Sequence, residues 1–586
     1  MHPITQSYLN QFTKEQSIES MDEADRFERF VNHCIISNRC AIRFDVEDVT
    51  TGDGEVGIDG VAILIGEELV TTADAARFVF GKRRRDIDVK YLFIQTKRSE
   101  SFDRDGFLNL GSAVRDLLSS APKLTSDNRL EESCAIHRVV VENVNKIRNG
   151  QPDCMLFYAT TGTWTKDKVL DSTRLQVIED IVKTRFFNSV TFTPLGFDEI
   201  RREWMATRTP PEATFSVLGE LPIPAMEGVS EALVILVSAQ EFVRSVLCDD
   251  KGNLRANIFE QNVRHFLGDD NDVNAQIKET LKNNQKKHRF SILNNGITIA
   301  AREIKRVSQT VSVKDFQIIN GCQTSHVLFH CKADLDDKVV LVIKAISSAE
   351  DGVIDELVVA TNSQTKVADS QFFAIKKEVR AIQLFFQAYP ESEKDERQLF
   401  FERRLGEFAG KEEIANTRIF DIHLLGKVYA AMFLDVPHDT LGSPGRIYDL
   451  PGLYSTSDQE IAYYTAAFCY YRLQLMLGNK QIDRADGMLK WHVLTAIRYL
   501  TLGGNPLSTP DAMKLACEQI LKIVWKTPKE CLALYKDAVK IVRQIPRTGE
   551  QELRAKPFTE KLITEAKKQH KATQQTARPV GRAPSK

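Results

Sequence analysis

Apolar residues recur along this chain with two periods, and the places where one gives way to the other mark its organisation. Val61-Ala62-Ile63-Leu64-Ile65 and Tyr91-Leu92-Phe93-Ile94 are short continuous apolar runs, the pattern of buried strands. Each is tied to polar groups at one end, Gly57-Ile58-Asp59-Gly60 before the first and Gln95-Thr96-Lys97 after the second. The interval 66–90 is longer than a tight hairpin needs, and a helix over 72–80 would fill it. Helical spacing follows at 105–120 and 130–148, a strand at 154–159, a helix at 166–186 and a strand at 189–193. This alternation predicts an α/β domain with a mixed sheet over residues 1–205.

Paired prolines at 210–211, then Pro222 and Pro224, interrupt both periods and predict a linker over 206–225. Strand-like runs and turns return from residue 232, so 226–414 reads as an α+β core. From residue 415 the spacing is helical, at 459–477, 484–502, 509–525 and 528–543, giving a mainly α-helical region over 415–550. Tyr463, Tyr464, Tyr470 and Tyr471 fall near helical spacing there, which points to packing more than to base stacking. The basic, polar, proline-containing end, 551–586, is expected to be a disordered tail with affinity for nucleic acid.

With 586 residues, 42% of them apolar and 27% charged, the chain has the composition of a soluble protein of two or more domains. Its 78 basic and 80 acidic residues nearly cancel, so any attraction to nucleic acid must be local. The densest basic run is Lys82-Arg83-Arg84-Arg85, where Arg83 and Arg84 are candidate phosphate contacts; a solvated loop is the plainer alternative. The ten cysteines lack any C-x-x-C pair and several lie in apolar runs, as buried thiols do. Neither a signal segment nor a bilayer-spanning run is present, and the expectation is a cytoplasmic, reduced protein with no membrane partner.

The chemistry concentrates at the ends of the two apolar runs. Gln95 and Lys97, two residues apart on a strand, project from one face, and pairing with the first strand would bring Asp59 to them. A carboxylate with a neighbouring carbonyl oxygen suits a hard cation such as Mg²⁺ or Mn²⁺. An ammonium beside it can orient water or stabilise charge on a phosphate. Such a set is sufficient for metal-assisted phosphodiester cleavage, against the alternative of a solvated strand edge.

These residues resemble the PD-(D/E)xK nuclease superfamily, whose Mrr-like branch ends in Q-x-K. The resemblance implies a restriction-endonuclease-like domain. It makes Asp59 a metal ligand, Gln95 a ligand or positioner of metal-bound water, the Thr96 carbonyl a further ligand, and Lys97 the catalytic lysine. Glu28, beside the apolar face of Phe27, Phe30 and Val31 on a predicted helix, would complete the set; Glu55 is a competing acid.

The second region carries Phe259-Glu260-Gln261-Asn262-Val263-Arg264, Asn294-Asn295-Gly296, Asn320-Gly321-Cys322-Gln323, Asn362-Ser363-Gln364 and Phe401-Glu402-Arg403-Arg404. Asn-Gly steps favour tight turns of positive φ that expose backbone N–H groups. In this order the segments, over roughly 225–450, resemble the AIPR family, named for abortive infection phage resistance. That resemblance implies anti-phage defence. Arg264, Asn295, Asn320, Gln323, Asn362, Gln364 and Arg403 are candidates for a shared polar site that contacts nucleic acid or phosphate, with structural satisfaction of backbone groups as the alternative. His326 and His330, four apart without a zinc-protease Glu, read as structural.

The resulting expectation is a Mg²⁺-dependent defence nuclease acting on nucleic acid, DNA foremost, with homo-oligomerisation left open. The rivals are a non-cleaving nucleic-acid binder and a nucleotide-binding AIPR sensor targeted by its N-terminal domain.

Overall fold

The computed structural model describes residues 1–577 except 41–42, 53–56, 67, 83–85, 124–126, 250–251, 256–257, 260–271, 363–376, 391–395, 404–406, 409–410, 412–413, 441–449, 456–459, 506, 508 and 548. The chain divides into two compact units, one comprising 1–9 and 27–375, the other 10–26 and 376–586.

The first unit holds two sheets. After helices α1 (Pro3–Gln16), shared between the units, and α2 (Glu23–Ser37) come β1 (Gly60–Ile65), β2 (Glu68–Val70), α3 (Ala73–Lys82) and β3 (Val89–Lys97). Then follow α4 (Arg104–Leu117), α5 (Asn128–Glu142), β4 (Asp153–Thr160), α6 (Lys168–Val182), β5 (Ser189–Leu195) and α7 (Phe197–Ala206). The strands form a mixed sheet in the order β2-β1-β3-β4-β5, with β1 antiparallel to β2 and β3, and β3, β4 and β5 mutually parallel. The helix expected over 72–80 is α3, and β2 accompanies it.

All six positions of β1 are buried, because helices cover both faces of the sheet. Val61, Ile63, Tyr91 and Phe93 face a core with Phe107, Leu110 and Val114 of α4 and Val139 of α5. On the other face Asn32 of α2 packs over Gly60, and Arg39 lies 4.8 Å from the Phe157 ring centroid. Phe30 of α2 meets Trp204 of α7, ring centroids 5.3 Å apart.

The second sheet uses β6 (Glu212–Ser216), β7 (Gly219–Pro222), β8 (Glu231–Ser238), β9 (Ile297–Val307), β10 (Thr310–Asn320) and β11 (Val340–Ser347), in the order β6-β10-β9-β11-β8-β7. Segment 206–225, expected as a linker, therefore carries both edge strands. Pro211 precedes β6 and Pro222 closes β7, edge positions where a missing N–H costs little. Short helices α8 (Ala239–Phe242), α9 (Asp272–Lys282), α10 (Phe290–Leu293), α11 (Cys322–His330) and α12 (Asp351–Asn362) belong to this half. The two halves of the unit touch where His330 Nε2 lies 3.5 Å from Asp88 Oδ2, an oxygen pair that Arg148 also holds, at 2.6 Å from its Nε to Oδ1.

The second unit is helical: α13 (Lys377–Ala388), α14 (Ile422–Phe433), α15 (Pro437–Thr440), α16 (Glu460–Gly478), α17 (Lys490–Leu502), α18 (Pro510–Val524), α19 (Pro528–Gln544) and α20 (Lys556–Ala577), with a two-stranded pair of β12 (Phe400–Glu402) and β13 (Ile419–Asp421). Tyr463 stacks between Tyr429 and Tyr454 at centroid distances of 3.9 and 5.2 Å, so this tyrosine packs. The expected disordered tail is corrected by α20. Phe558, Leu562 and Ala566 recur every fourth residue and are buried, and that stripe outweighs the polar composition. Residues 578–586 lie outside the described residues.

All ten cysteines are buried thiols, none of them in a disulfide. Among the described residues no helix is long and apolar enough to cross a membrane.

Candidate functional site

The Q-x-K strand pairs directly with the Asp59 strand. Gly60 lies opposite Ile94, so the next step along each strand sets Asp59 beside Gln95. The Asp59 backbone is held on both sides. Its N–H donates to the Ile94 carbonyl at 2.8 Å, and its carbonyl accepts from Thr51 N at 3.2 Å and from Asn32 Nδ2 at 3.0 Å. Its Oδ2 accepts two hydrogen bonds from one residue, Thr96 N at 2.6 Å and Thr96 Oγ1 at 3.0 Å. Among the described residues nothing donates to Oδ1. Burial pushes the Asp59 carboxyl above the usual carboxylate range, against the opposing pull of the two Thr96 bonds and the Lys97 charge.

Gln95 is 4% exposed, and its Oε1 has no hydrogen-bond partner among the described residues. A buried amide oxygen left unpaired costs about 1–3 kcal/mol, so it calls for a physical reason. Gly57 sits against the same side chain. A Cβ there would lie 3.5 Å from Gln95 Nε2 and 3.5 Å from Asn109 Cβ of α4, and its φ of +80° is one that glycine adopts freely. Lys97, on the same strand face, is exposed. Asp59, Gln95 and Lys97 thus come together at one end of β3 as a buried acid, a buried unpaired carbonyl and an exposed ammonium.

Thr96 contributes its N–H and hydroxyl to this arrangement, both spent on Asp59. From α2, Asn32 reaches the Asp59 backbone; it lies one turn beyond the partly buried Glu28 and on the same helix face. Asn32 is fully buried; its Nδ2 also donates to Thr50 Oγ1 at 3.1 Å. The sequence reading passed over it, although an Asn inside an otherwise apolar helix face, i+4 from a candidate acid, was the available signal. Glu55, Arg83 and Arg84 lie outside the described residues. The basic run begins at Lys82, the end of α3, whereas Gln95 and Lys97 stand at the far end of β3 from its start at Val89.

The second cluster is built on two glycines of positive φ, Gly296 at +78° and Gly321 at +97°. They pack together: a Cβ on Gly321 would lie 2.8 Å from Ile297 Cγ1 and 3.2 Å from the Gly296 carbonyl oxygen. Asn294 joins the turns, its Oδ1 accepting from Gly296 N at 3.0 Å and its Nδ2 donating to Thr324 Oγ1 at 3.2 Å. Asn295, the residue singled out in the sequence, is exposed, and Asn294 beside it makes these bonds. Gln323 Oε1 accepts from Asn274 Nδ2 at 2.7 Å, and His326 lies 4.9 Å from Phe259, ring to ring. Asn320 ends β10, where it lies opposite Thr298 at a bulge.

The remaining members of the expected polar site fall elsewhere. Arg264 and Gln364 lie outside the described residues, as does the side chain of Asn362, the last residue of α12. Arg403 belongs to the second unit, where its Nε donates to Gln383 Oε1 at 2.6 Å and its backbone N to Glu407 Oε2 at 3.1 Å. Among the described residues no group of three or more His, Cys, Asp or Glu is placed to hold a metal ion. Among the described residues a cation at Asp59 would therefore meet at most two such side chains, the rest of its ligands being neutral oxygens.

Residues 259–538 match the model of the family described as AIPR protein. The match starts at the first of the quoted motifs, later than the expected 225, and runs past the expected 450 through the helices of the second unit into α19. No curated protein and no solved structure matches the chain.

Proposed function

We propose that this chain, with its AIPR region, is an anti-phage defence effector of the abortive-infection kind whose N-terminal sheet cleaves phosphodiester bonds of nucleic acid, DNA foremost, with Mg²⁺ or Mn²⁺. The observation that carries the reading is Gln95 Oε1, without a partner among the described residues, buried on the strand position beside Asp59 and two residues from an exposed lysine. An unpaired carbonyl oxygen next to a buried acid is the donor set of a hard cation.

Asp59 and Gln95 would hold the cation, with the Thr96 carbonyl and Glu28 as further candidate ligands. Bound there, it supplies Lewis acidity toward the phosphate and lowers the pKa of a coordinated water. Thr96 fixes the Asp59 carboxylate through two donors to one oxygen, so that the other is left for a ligand. Lys97 reaches solvent from the same strand face, where its ammonium meets the charge that builds on the phosphate oxygens during attack.

Wild type and Asp59→Ala incubated with plasmid, linear DNA and RNA, each with Mg²⁺, Mn²⁺ or EDTA, test this reading. Metal-dependent product from wild type alone supports it; equal products from both variants, or none from wild type, refutes cleavage at Asp59.

One observation favours a second reading. Among the described residues no three His, Cys, Asp or Glu side chains are grouped to hold a metal ion, and a site with so few charged ligands has weak cation affinity and could hold nucleic acid without cutting it. Retention of DNA in EDTA with no product under any metal selects that alternative.

A further inference from the structure

Tyr158 lies directly opposite Gln95 in the parallel pairing of β3 and β4, so the two side chains leave the sheet on the same face. It is fully buried, and its hydroxyl donates to Asp103 Oδ2 at 2.7 Å. The other oxygen of Asp103 caps α4, accepting from Gly106 N at 2.6 Å. Gly106 makes room for the phenol: a Cβ there would lie 2.1 Å from the Tyr158 oxygen. One turn further on, Asn109 of the same helix backs Gly57 and, through it, the Gln95 amide. A continuous chain of contacts thus runs from the strand beside Gln95, through Tyr158 and Asp103, into α4 and back to Gln95.

We propose that Tyr158 is a positioning residue of the candidate nuclease site, holding α4 through Asp103 at the height that keeps Gly57 and Asn109 against Gln95. The inference rests on the nuclease reading above. Burial, and then the Asp103 and Asp59 charges, keep the phenol well above its usual pKa, so it remains a hydrogen-bond donor at any working pH. Its burial keeps it from touching substrate, so it acts on the reaction only through α4.

The test uses the full chain on a DNA substrate with Mg²⁺, comparing Tyr158→Phe, Asp103→Ala, Asp103→Asn and the double variant Tyr158→Phe with Asp103→Ala. Tyr158→Phe and Asp103→Ala should each lower kcat about tenfold with KM little changed, as misplacement of a catalytic group does. The double variant should fall no further than either single one. Asp103→Asn should stay near wild type, because its carbonyl still caps Gly106 while its amide donates to the phenol oxygen. Amide exchange over the first turn of α4 should quicken in Tyr158→Phe and not in Asp103→Asn. Wild-type cleavage left unchanged by Tyr158→Phe, or an Asp103→Asn as impaired as Asp103→Ala, overturns the positioning role alone. A wild type without metal-dependent cleavage overturns the nuclease reading and this role with it.

Discussion

Thr96 donates both its backbone N–H and its hydroxyl to a single oxygen of Asp59, at 2.6 and 3.0 Å. The bond pair explains how a largely buried carboxylate keeps one fixed orientation, and it leaves the second oxygen without a donor among the described residues. The carboxyl is nonetheless raised above its usual range by burial. Holding this acid ionised in the fold thus costs stability.

Asp59→Asn should therefore stabilise the protein while removing any cleavage. A carboxyl whose folded pKa lies above the unfolded value of about 3.9 binds more protons folded than unfolded, so its contribution to stability falls as pH rises through that window. The gain in melting temperature on Asp59→Asn should be larger at pH 7 than at pH 4. Mg²⁺ should raise the melting temperature of wild type and leave Asp59→Asn unmoved. Thermal scans at both pH values, with and without Mg²⁺, measure this, and a variant less stable than wild type at pH 7 counts against it.

Lys97→Ala removes an exposed side chain at a strand end, so the fold should change by no more than about 0.5 kcal/mol. If the ammonium stabilises the transition state, kcat should fall roughly 100-fold or more. Full activity in a normally folded Lys97→Ala would remove it from the chemistry.

Gly60→Ala should cost about 2 kcal/mol, because its Cβ would come within 2.3 Å of Asn32 Oδ1. Displacing Asn32 also breaks its bonds to Thr50 and to the Asp59 carbonyl. Adding Asn32→Ala should recover part of the loss. Denaturant titrations of the two single variants and the pair check this; strictly additive losses would show that the two positions do not collide.

Asp88→Ala should destabilise by on the order of 2 kcal/mol, since Arg148 is mostly buried against it. Although burial works against it, the His330 and Arg148 contacts hold the Asp88 carboxyl well below its usual range. Burial also keeps the His330 ring below its ordinary pKa, so near neutrality the counter-charge is Arg148. A lowered carboxyl contributes stability above its unfolded pKa of about 3.9 and loses it as pH falls through the folded value. The difference between wild type and Asp88→Ala should therefore shrink on acidification below pH 4.

Gly321→Ala places a Cβ 3.1 Å from Ile297 Cα at a φ of +97° and should cost about 3 kcal/mol. Gly252→Ala is the control: its φ is similar, +79°, with no atom near the new Cβ, and the cost should be about 1 kcal/mol. Equal losses at the two glycines would mean that the packing of the two Asn-Gly turns contributes nothing.

Most elements of the first sheet were legible in the sequence because strands buried on both faces leave continuous apolar runs and the helices between them keep a strict period. Residues 206–225 were not, since proline marks both a linker and an edge strand and only the presence of a neighbouring strand separates the two. The helix α20 was hidden for a related reason: its stripe of Phe558, Leu562 and Ala566 sits within a basic, polar segment, and composition spoke louder than spacing.

At the candidate site the sequence by itself determined the residue types and their spacing: a carboxylate at the head of one strand, and an amide and an ammonium two residues apart at the end of another. Spacing along a strand sets the face from which side chains project, so the sharing of one face by Gln95 and Lys97 needed no fold. The tertiary structure alone decided that Thr96 would bind Asp59, that Asn32 of α2 would reach the Asp59 backbone, that Arg403 would bind Gln383, and that the Gln95 oxygen would be buried with no partner among the described residues. Those facts depend on which distant segments pack together, and burial and pairing across such contacts set the charge and hydrogen-bonding state of each group.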